Sequence, residues 1–306
     1  MLERRRIGAY GFCADDARRV LLARGAASCP YPGVWQLPGG GVEHAEHPAH
    51  AVVREFAEET GLDVEVAGAR AAVADVATFR TADGGTDLAV HTDRLIFDVR
   101  VRGGEPRPEP TGGSDALAWF TPDEAAVVPL MPFTAELLGL PVTPLPAELP
   151  RPLPPDAPPT ADRRQRFAAY GLVTDPADRV LLTMIAAGYP GAGRWHLPGG
   201  GTDHGEQPAA GLLRELVEES GQLGRVVELL TVDNLHNPAA LGPEGRPLDW
   251  HAVRVVYRVR VDRPGEPEVT EQAGGSTERA AWFTSAQVAG LRLTEVAALA
   301  TGRAGR

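Results

Sequence analysis

The feature that most constrains the fold is an internal repeat. Tyr10-Gly11 recurs as Tyr170-Gly171, Arg19-Val20-Leu21-Leu22 as Arg179-Val180-Leu181-Leu182, and Trp35-Gln36-Leu37-Pro38-Gly39-Gly40-Gly41 as Trp195-His196-Leu197-Pro198-Gly199-Gly200-Gly201, each at an offset of 160 residues. The same offset relates Arg94 to Arg254 and Val101 to Val261. Near the end of each half, Gly112-Gly113-Ser114 through Trp119-Phe120-Thr121 is answered by Gly274-Gly275-Ser276 through Trp282-Phe283-Thr284, with small changes of spacing. A chain of 306 residues built in this way is expected to fold as two copies of one domain, since domains cluster near roughly 100 to 150 residues. The boundaries expected are a first domain over 1–140, a linker over 141–160 and a second domain over 161–306. Pro141 to Pro159 contains nine prolines, which neither donate ladder hydrogen bonds nor continue a helix, so this stretch reads as an extended, semi-rigid tether.

Within each copy the elements alternate. Val20-Leu21-Leu22 reads as a buried strand, and Arg94 to Val101 as another. Thr121-Pro122-Asp123-Glu124 offers a capping Thr, a proline at the first helical position and a Glu at the third, and Thr284-Ser285-Ala286-Gln287 repeats that logic, so a closing helix is expected in each half. With 43% hydrophobic and 23% charged residues, each half has the means to bury a core. The expected fold class is α/β, a mixed sheet sandwiched by helices in each of two tandem domains.

Composition also narrows the partners. The formal net charge is -11, and every cation is Arg because lysine is absent. Such a surface repels nucleic-acid polymers and anionic lipid, but a small phosphorylated substrate remains compatible where a divalent cation inverts the field of a carboxylate cluster. Cys13 and Cys29 lie in no pair with metal-ligand spacing and read as reduced bystanders of a cytoplasmic protein. No segment approaches the roughly 20 apolar residues of a membrane span. The sequence does not fix the oligomeric state.

The chemistry concentrates between Gly39 and Leu62. Ala49, Val52, Val53 and Phe56 fall at the spacing of one buried helical face, and Gly61 suits a left-handed cap, which predicts a helix from Pro48 to Thr60. At roughly 100° per residue, Glu55, Glu58 and Glu59 share an arc of about 100°, centred about 120° from that apolar stripe. Three crowded carboxylates repel one another unless a cation sits among them, and an all-oxygen ligand set suits Mg²⁺, with Mn²⁺ as the alternative. Arg54, one turn before Glu58, is placed to orient these acids. Gly39, Gly40 and Gly41 let the backbone approach an ion or phosphate, and the Gly39 carbonyl is a candidate ligand.

Gly40, five residues, Glu46, seven residues, Arg54-Glu55-Phe56, one residue, Glu58-Glu59, one residue, Gly61-Leu62 resembles the box of the Nudix hydrolase family at every defining position. Gly200, Glu206, Arg214-Glu215-Leu216, Glu218-Glu219 and Gly221 resemble the same box, with polar Gln222 where an aliphatic residue is usual. The resemblance covers both halves. It implies an α/β/α sandwich in each, hydrolysis of a nucleoside diphosphate linked to a second moiety, and Mg²⁺ held by the box glutamates. The catalytic candidates are then Arg54, Glu55, Glu58 and Glu59 with Arg214, Glu215, Glu218 and Glu219. Gly39 and Gly199 are further metal candidates, and Gly40 and Gly200 would face substrate.

The family often completes its site with a carboxylate from outside the helix. Glu109 and Glu271, in a shared Glu-x-x-Gly-Gly-Ser context, are candidates for it, a solvated loop glutamate being the competing reading. Arg24 resembles an arginine that contacts substrate phosphates in some members; the competing reading is a strand-end surface cation, and its counterpart is Met184. His44 and His204 recur before Glu46 and Glu206 and read as loop bystanders. Trp35 with Trp195, and Trp119 with Trp282, read as core anchors rather than base-stacking platforms. The reaction expected is attack of an activated water at phosphorus with metal assistance. The rivals are a nucleotide-derivative sensor, a hybrid in which one copy binds without turnover, and a diphosphate isomerase.

Overall fold

The computed structural model of the chain describes residues 2–80, 87–109, 112–145, 163–241, 245–270 and 275–303. Two compact units emerge, Met1–Gln165 with Asn234–His251, and Arg166–Asp233 with Ala252–Arg306. Most of the proline-rich segment lies outside the described residues.

In the first copy, β1 (Leu2–Cys13), β2 (Val20–Gly25), β3 (Trp35–Gln36) and β4 (Gly39–Gly41) precede helix α1 (Pro48–Thr60). The chain continues through β5 (Leu62–Arg80), β6 (Asp87–Gly104), β7 (Ser114–Phe120), α2 (Pro122–Ala125) and α3 (Pro132–Leu137). One sheet has the order β4-β1-β6-β5 and a second the order β3-β2-β7. β1 runs parallel to β6 from Leu2↔Leu88 to Cys13↔Val99 and antiparallel to β4, so the first sheet is mixed. The strand expected from Arg94 to Val101 is the inner part of β6, and Val20-Leu21-Leu22 opens β2. Tyr10, Leu22, Leu37, Ile96 and Phe133 share one core cluster, with the Tyr10 and Phe133 rings 4.9 Å apart.

Helix α1 has the predicted bounds. Gly61, at φ 68°, ends it in the left-handed conformation that a Cβ would strain, and its N–H donates to Ala57 O at 3.2 Å. His47 supplies the N-cap, its Nδ1 accepting from Ala49 N at 3.1 Å. The buried face differs from the expected one. It comprises Pro48, Ala51, Val52, Phe56, Glu59 and Thr60, whereas Val53 is exposed. Glu59, seven residues beyond Val52, therefore lies on the inward stripe instead of flanking it. A buried backbone donor, described below, draws its carboxylate in.

The second copy repeats the pattern with β8 (Arg163–Thr174), β9 (Val180–Ile185), β10 (Trp195–His196), β11 (Gly199–Gly201) and α4 (Pro208–Ser220). β12 (Arg225–Leu241), β13 (Pro247–Arg260), β14 (Thr277–Phe283), α5 (Ser285–Val288) and α6 (Glu295–Arg303) follow. Its sheet has the order β10-β9-β8-β13-β12, with β11 on β8 and β14 on β9. Leu172, Leu182, Trp195, Leu197 and Val256 form the heart of its core. The closing helices α2 and α5 carry the expected capping boxes, Thr121 with Glu124 and Thr284 with Gln287. Gln222 is buried, yet its amide donates to Ser220 O at 3.1 Å and accepts from Gly265 N at 2.9 Å. Both ends of the amide are satisfied, which is the condition for a polar side chain to replace the aliphatic one at this helix end. No described helix is long and apolar enough to cross a membrane.

Candidate active site

The site of the first copy is built where α1 meets β4. Glu59 is 9% exposed, and its Oε2 accepts the Gly39 N–H at 2.9 Å. It is therefore the amide end of Gly39 that engages the acids here. Gly40 follows, and a Cβ at that position would lie 2.5–2.7 Å from the Glu55 carboxyl group, so only glycine leaves Glu55 its place. Burial pushes Glu55 above its ordinary value, opposed by Arg54. Burial, opposed by the Gly39 N–H, together with the charges of Glu55, Glu109 and Glu58, pushes Glu59 up to about 8.

Arg54 organises the exposed side of the cluster. Its Nε and Nη2 donate to the two oxygens of Glu46, both at 2.9 Å, its Nη1 to Glu55 Oε1 at 2.8 Å and Glu58 Oε2 at 3.2 Å, and its Nη2 also to Gly41 O at 3.0 Å. A planar fork is needed for this, because one group serves three carboxylates and a strand carbonyl. Glu46 also accepts the Glu43 N–H at 2.9 Å; burial alone would raise this carboxyl, but Arg54 and that amide hold it below its usual range.

The second copy reproduces the arrangement. Arg214 donates to Glu206 at 3.0 and 3.1 Å, to Glu215 at 3.0 Å, to Glu218 at 3.3 Å and to Gly201 O at 3.2 Å. Gly199 N donates to Glu219 Oε2 at 2.8 Å, and a Cβ on Gly200 would lie 2.9–3.0 Å from the Glu215 carboxyl group. One difference is local. Thr277 Oγ1 donates to Glu219 Oε1, whereas Ser114, at the matching register position on β7, donates to the Glu59 backbone carbonyl at 3.2 Å.

A cavity of about 880 Å³ opens beside the first box, with Gly39, Gly40 and Glu59 in its lining alongside Tyr31, Phe79 and Arg94. The Tyr31 and Phe79 rings stand 6.1 Å apart. Arg94 pairs with Asp75 through Nε at 2.5 Å and donates to Tyr10 Oη at 2.6 Å. Sequence reasoning did not single these aromatics out, because Tyr31 and Phe79 are far apart along the chain and meet only in the fold.

The remaining predicted residues divide. Glu109 comes to the box: its Oε2 accepts the Gly113 N–H at 2.7 Å, and a Cβ on Gly113 would have Glu59 Oε1 at 3.6 Å and Glu109 Oε2 at 3.9 Å. Glu271 lies outside the described residues. Arg24 forms an ion pair with Asp115 at 2.7 Å and sits 5.7 Å from the Trp35 ring centre. In the second copy the cation over the equivalent ring is Arg279, 5.1 Å from Trp195. The strand pairings Arg24↔Ala116 and Met184↔Arg279 show that the arginine has moved across the ladder. Trp35 and Trp195 also pack edge-on against Phe120 and Phe283, at 4.8 and 4.7 Å. Cys13 and Cys29 are free, and burial pushes the Cys13 thiol up to about 11.

The donor set of each box is all oxygen, negative and partly buried. In the first copy it holds a carboxyl whose charge burial and like neighbours disfavour. That is the chemistry of a seat for a hard divalent cation, with Glu55, Glu58, Glu59 and Glu109 able to supply ligands in the first copy and Glu215, Glu218 and Glu219 in the second.

Comparison with known proteins identifies the family. The chain is 36% identical to a MutT-like protein of Streptomyces ambofaciens over 124 residues, which is 39% of this chain and 66% of that protein. It is 30% identical to a CTP pyrophosphohydrolase of Escherichia coli over 121 residues, 39% of this chain and 79% of that protein. The chain thus spans about two thirds to four fifths of the length of these relatives. Among solved structures, it is similar to a MutT NUDIX hydrolase from Burkholderia pseudomallei, with 28% identity and a TM-score of 0.32, over 44% of this chain and 97% of that one. The NUDIX domain model matches twice, over residues 3–139 and 164–301. The chain belongs to the Nudix hydrolase family, with two Nudix domains in tandem.

Proposed function

We propose that both copies hydrolyse a pyrophosphate bond in a small nucleoside diphosphate derivative, in a Mg²⁺-dependent reaction. The observation that carries this reading is the duplicated arrangement of one arginine, three surrounding carboxylates and a buried glutamate tied to the glycine strand. In this reading the two catalytic domains occupy 1–140 and 161–306, joined by the tether 141–160, and the protein acts on small molecules in the cytoplasm.

Glu55, Glu58 and Glu59, with Glu109 and the Gly39 carbonyl, would hold the cation in the first copy. Glu215, Glu218 and Glu219, with Glu271 and the Gly199 carbonyl, would do so in the second. When bound, Mg²⁺ would polarise phosphate oxygens and offset the charge that builds on the leaving group. Arg54 and Arg214 hold the surrounding carboxylates in position. Gly40 and Gly200 allow the diphosphate to approach the backbone, and Arg24 supplies a planar donor to a phosphate. In the first copy the cavity lined by Tyr31 and Phe79 is of a size to take the rest of the nucleotide.

The test is a screen of purified protein against nucleotide derivatives with Mg²⁺, with both phosphorylated products identified. Turnover should vanish when Glu58→Gln and Glu218→Gln are combined and persist in part when either stands alone. Undiminished turnover in the combined variant would refute the assignment.

A further inference from the structure

Outside the box, the first unit contains a second group of metal-ligating side chains. His44 sits in the loop between β4 and α1, while His236 and Asp249 stand on the segment Asn234–His251 that belongs to the same unit. His44 Nε2 and His236 Nε2 converge on one oxygen, Asp249 Oδ1, at 3.1 and 2.7 Å. One ligand atom from each of the three residues lies within 4.8 Å of the others. We propose that His44, His236 and Asp249 form a site for a divalent transition-metal ion of the zinc type, distinct from the Mg²⁺ seat of the box.

Three observations support it. His44 Nε2 is buried and makes no hydrogen bond, because it lies near Asp249 without the alignment a bond requires. A ligand atom placed in that way lacks a partner that a metal would supply. The donor set is two imidazoles and one carboxylate, which suits Zn²⁺ and does not suit Mg²⁺. The spacing is also close to what coordination needs, since tetrahedral bonds of about 2.0–2.1 Å put ligand atoms about 3.4 Å apart.

The surroundings limit the site to three protein ligands. His251 walls it, its ring 5.5 Å from that of His44, but its Nδ1 is engaged by the Gln165 amide at 3.1 Å and its Nε2 faces the Asn234 amide at 3.4 Å. Arg163 approaches the other oxygen of Asp249 at 3.6 Å. A fourth position is therefore left to water or a small ligand. At the 160-residue offset Asp249 corresponds to Ala89, so this carboxylate is no part of what the two copies share. The ion would fasten the segment bearing His236 and Asp249 to the loop that leads into α1.

The test is Zn²⁺ titration of chelator-treated full-length protein in excess Mg²⁺, followed by calorimetry, with Co²⁺ absorption as the readout of low-coordinate nitrogen ligation. One Zn²⁺ per chain should bind, raise the melting temperature and resist displacement by Mg²⁺. His236→Ala, whose side chain is partly exposed and dispensable for the core, should weaken binding at least tenfold and abolish the melting shift, as should Asp249→Asn. Glu58→Gln combined with Glu218→Gln should leave this binding intact, which separates it from the box. Zn²⁺ affinity unchanged in His236→Ala and Asp249→Asn, or Zn²⁺ fully displaced by Mg²⁺, would overturn the proposal.

Discussion

Met184 and Arg279 are cross-strand partners on β9 and β14, at the place where Arg24 and Ala116 are partners on β2 and β7. Each pair keeps one guanidinium over the tryptophan that opens the short strand before the box, at 5.7 Å for Arg24 and 5.1 Å for Arg279. Comparing position 24 with position 184 alone suggests that the second copy has lost its arginine. The ladder shows that the same spot is filled from the opposite strand.

That equivalence sets the first prediction. With the other copy silenced, Arg24→Ala and Arg279→Ala should each raise KM about tenfold with little change in kcat, the effect of losing one hydrogen bond to a charged group. Met184→Arg combined with Arg279→Ala rebuilds the arrangement of the first copy and should restore KM. Steady-state kinetics on the single-copy backgrounds decides it; KM unchanged in both alanine variants would leave these arginines with a packing role over Trp35 and Trp195.

Much of this was legible in the sequence, for definable reasons. Helix α1 announced its bounds through Pro48 and Gly61, and the box glutamates through their spacing, because both signals are local. The burial of Glu59 was not legible, although the helical period sets it close to Val52, because the Gly39 N–H that its carboxylate accepts comes from strand β4. Arg279 was invisible because its meaning depends on strand register. The His44, His236 and Asp249 group was equally hidden, since residues some 200 positions apart meet only in the fold.

Glycine before the box should be more sensitive to substitution in the first copy than in the second. A Cβ at Gly40 meets the Glu55 carboxyl group at 2.5–2.7 Å, whereas at Gly200 it meets that of Glu215 at 2.9–3.0 Å. Gly40→Ala should displace Glu55 and cut turnover of its copy by about tenfold or more. Gly200→Ala should have the smaller effect, and both should melt within a few degrees of the parent. Equal losses would mean that contact with Glu55 and Glu215 is not what the glycine protects.

Arg54→Lys should fail to rescue Arg54→Ala. The guanidinium serves Glu46, Glu55, Glu58 and the Gly41 carbonyl together, and an ammonium cannot span that fork. Each substitution is expected to cost about 2 kcal/mol of stability, as for partly buried charge-assisted bonds. Activity of the copy should fall with it. Denaturant unfolding and single-copy kinetics measure the two effects, and a fully active Lys variant would show that charge alone suffices.

Metal-free protein should lose stability as pH rises through neutrality, and Glu59 should be the cause. Burial and like charges push its carboxyl from an ordinary 4.5 up to about 8, so the folded state holds a proton that the unfolded state has already lost. The stability associated with that proton is present in full below about 4.5 and is lost as pH rises towards 8, with a slope of up to about 1.4 kcal/mol per pH unit. His196 and His251 act in the opposite sense. Burial holds both at about 4, below their ordinary 6.5, so their contribution is complete above 6.5 and lost as pH falls towards 4. The window from about 6.5 to 8 therefore isolates Glu59 from these two imidazoles. Melting temperatures of chelator-treated protein should fall across it, and Glu59→Gln should flatten the fall. Excess Mg²⁺ should flatten it as well, because a cation takes the place of the proton. A slope that survives Glu59→Gln would assign the titration to another group.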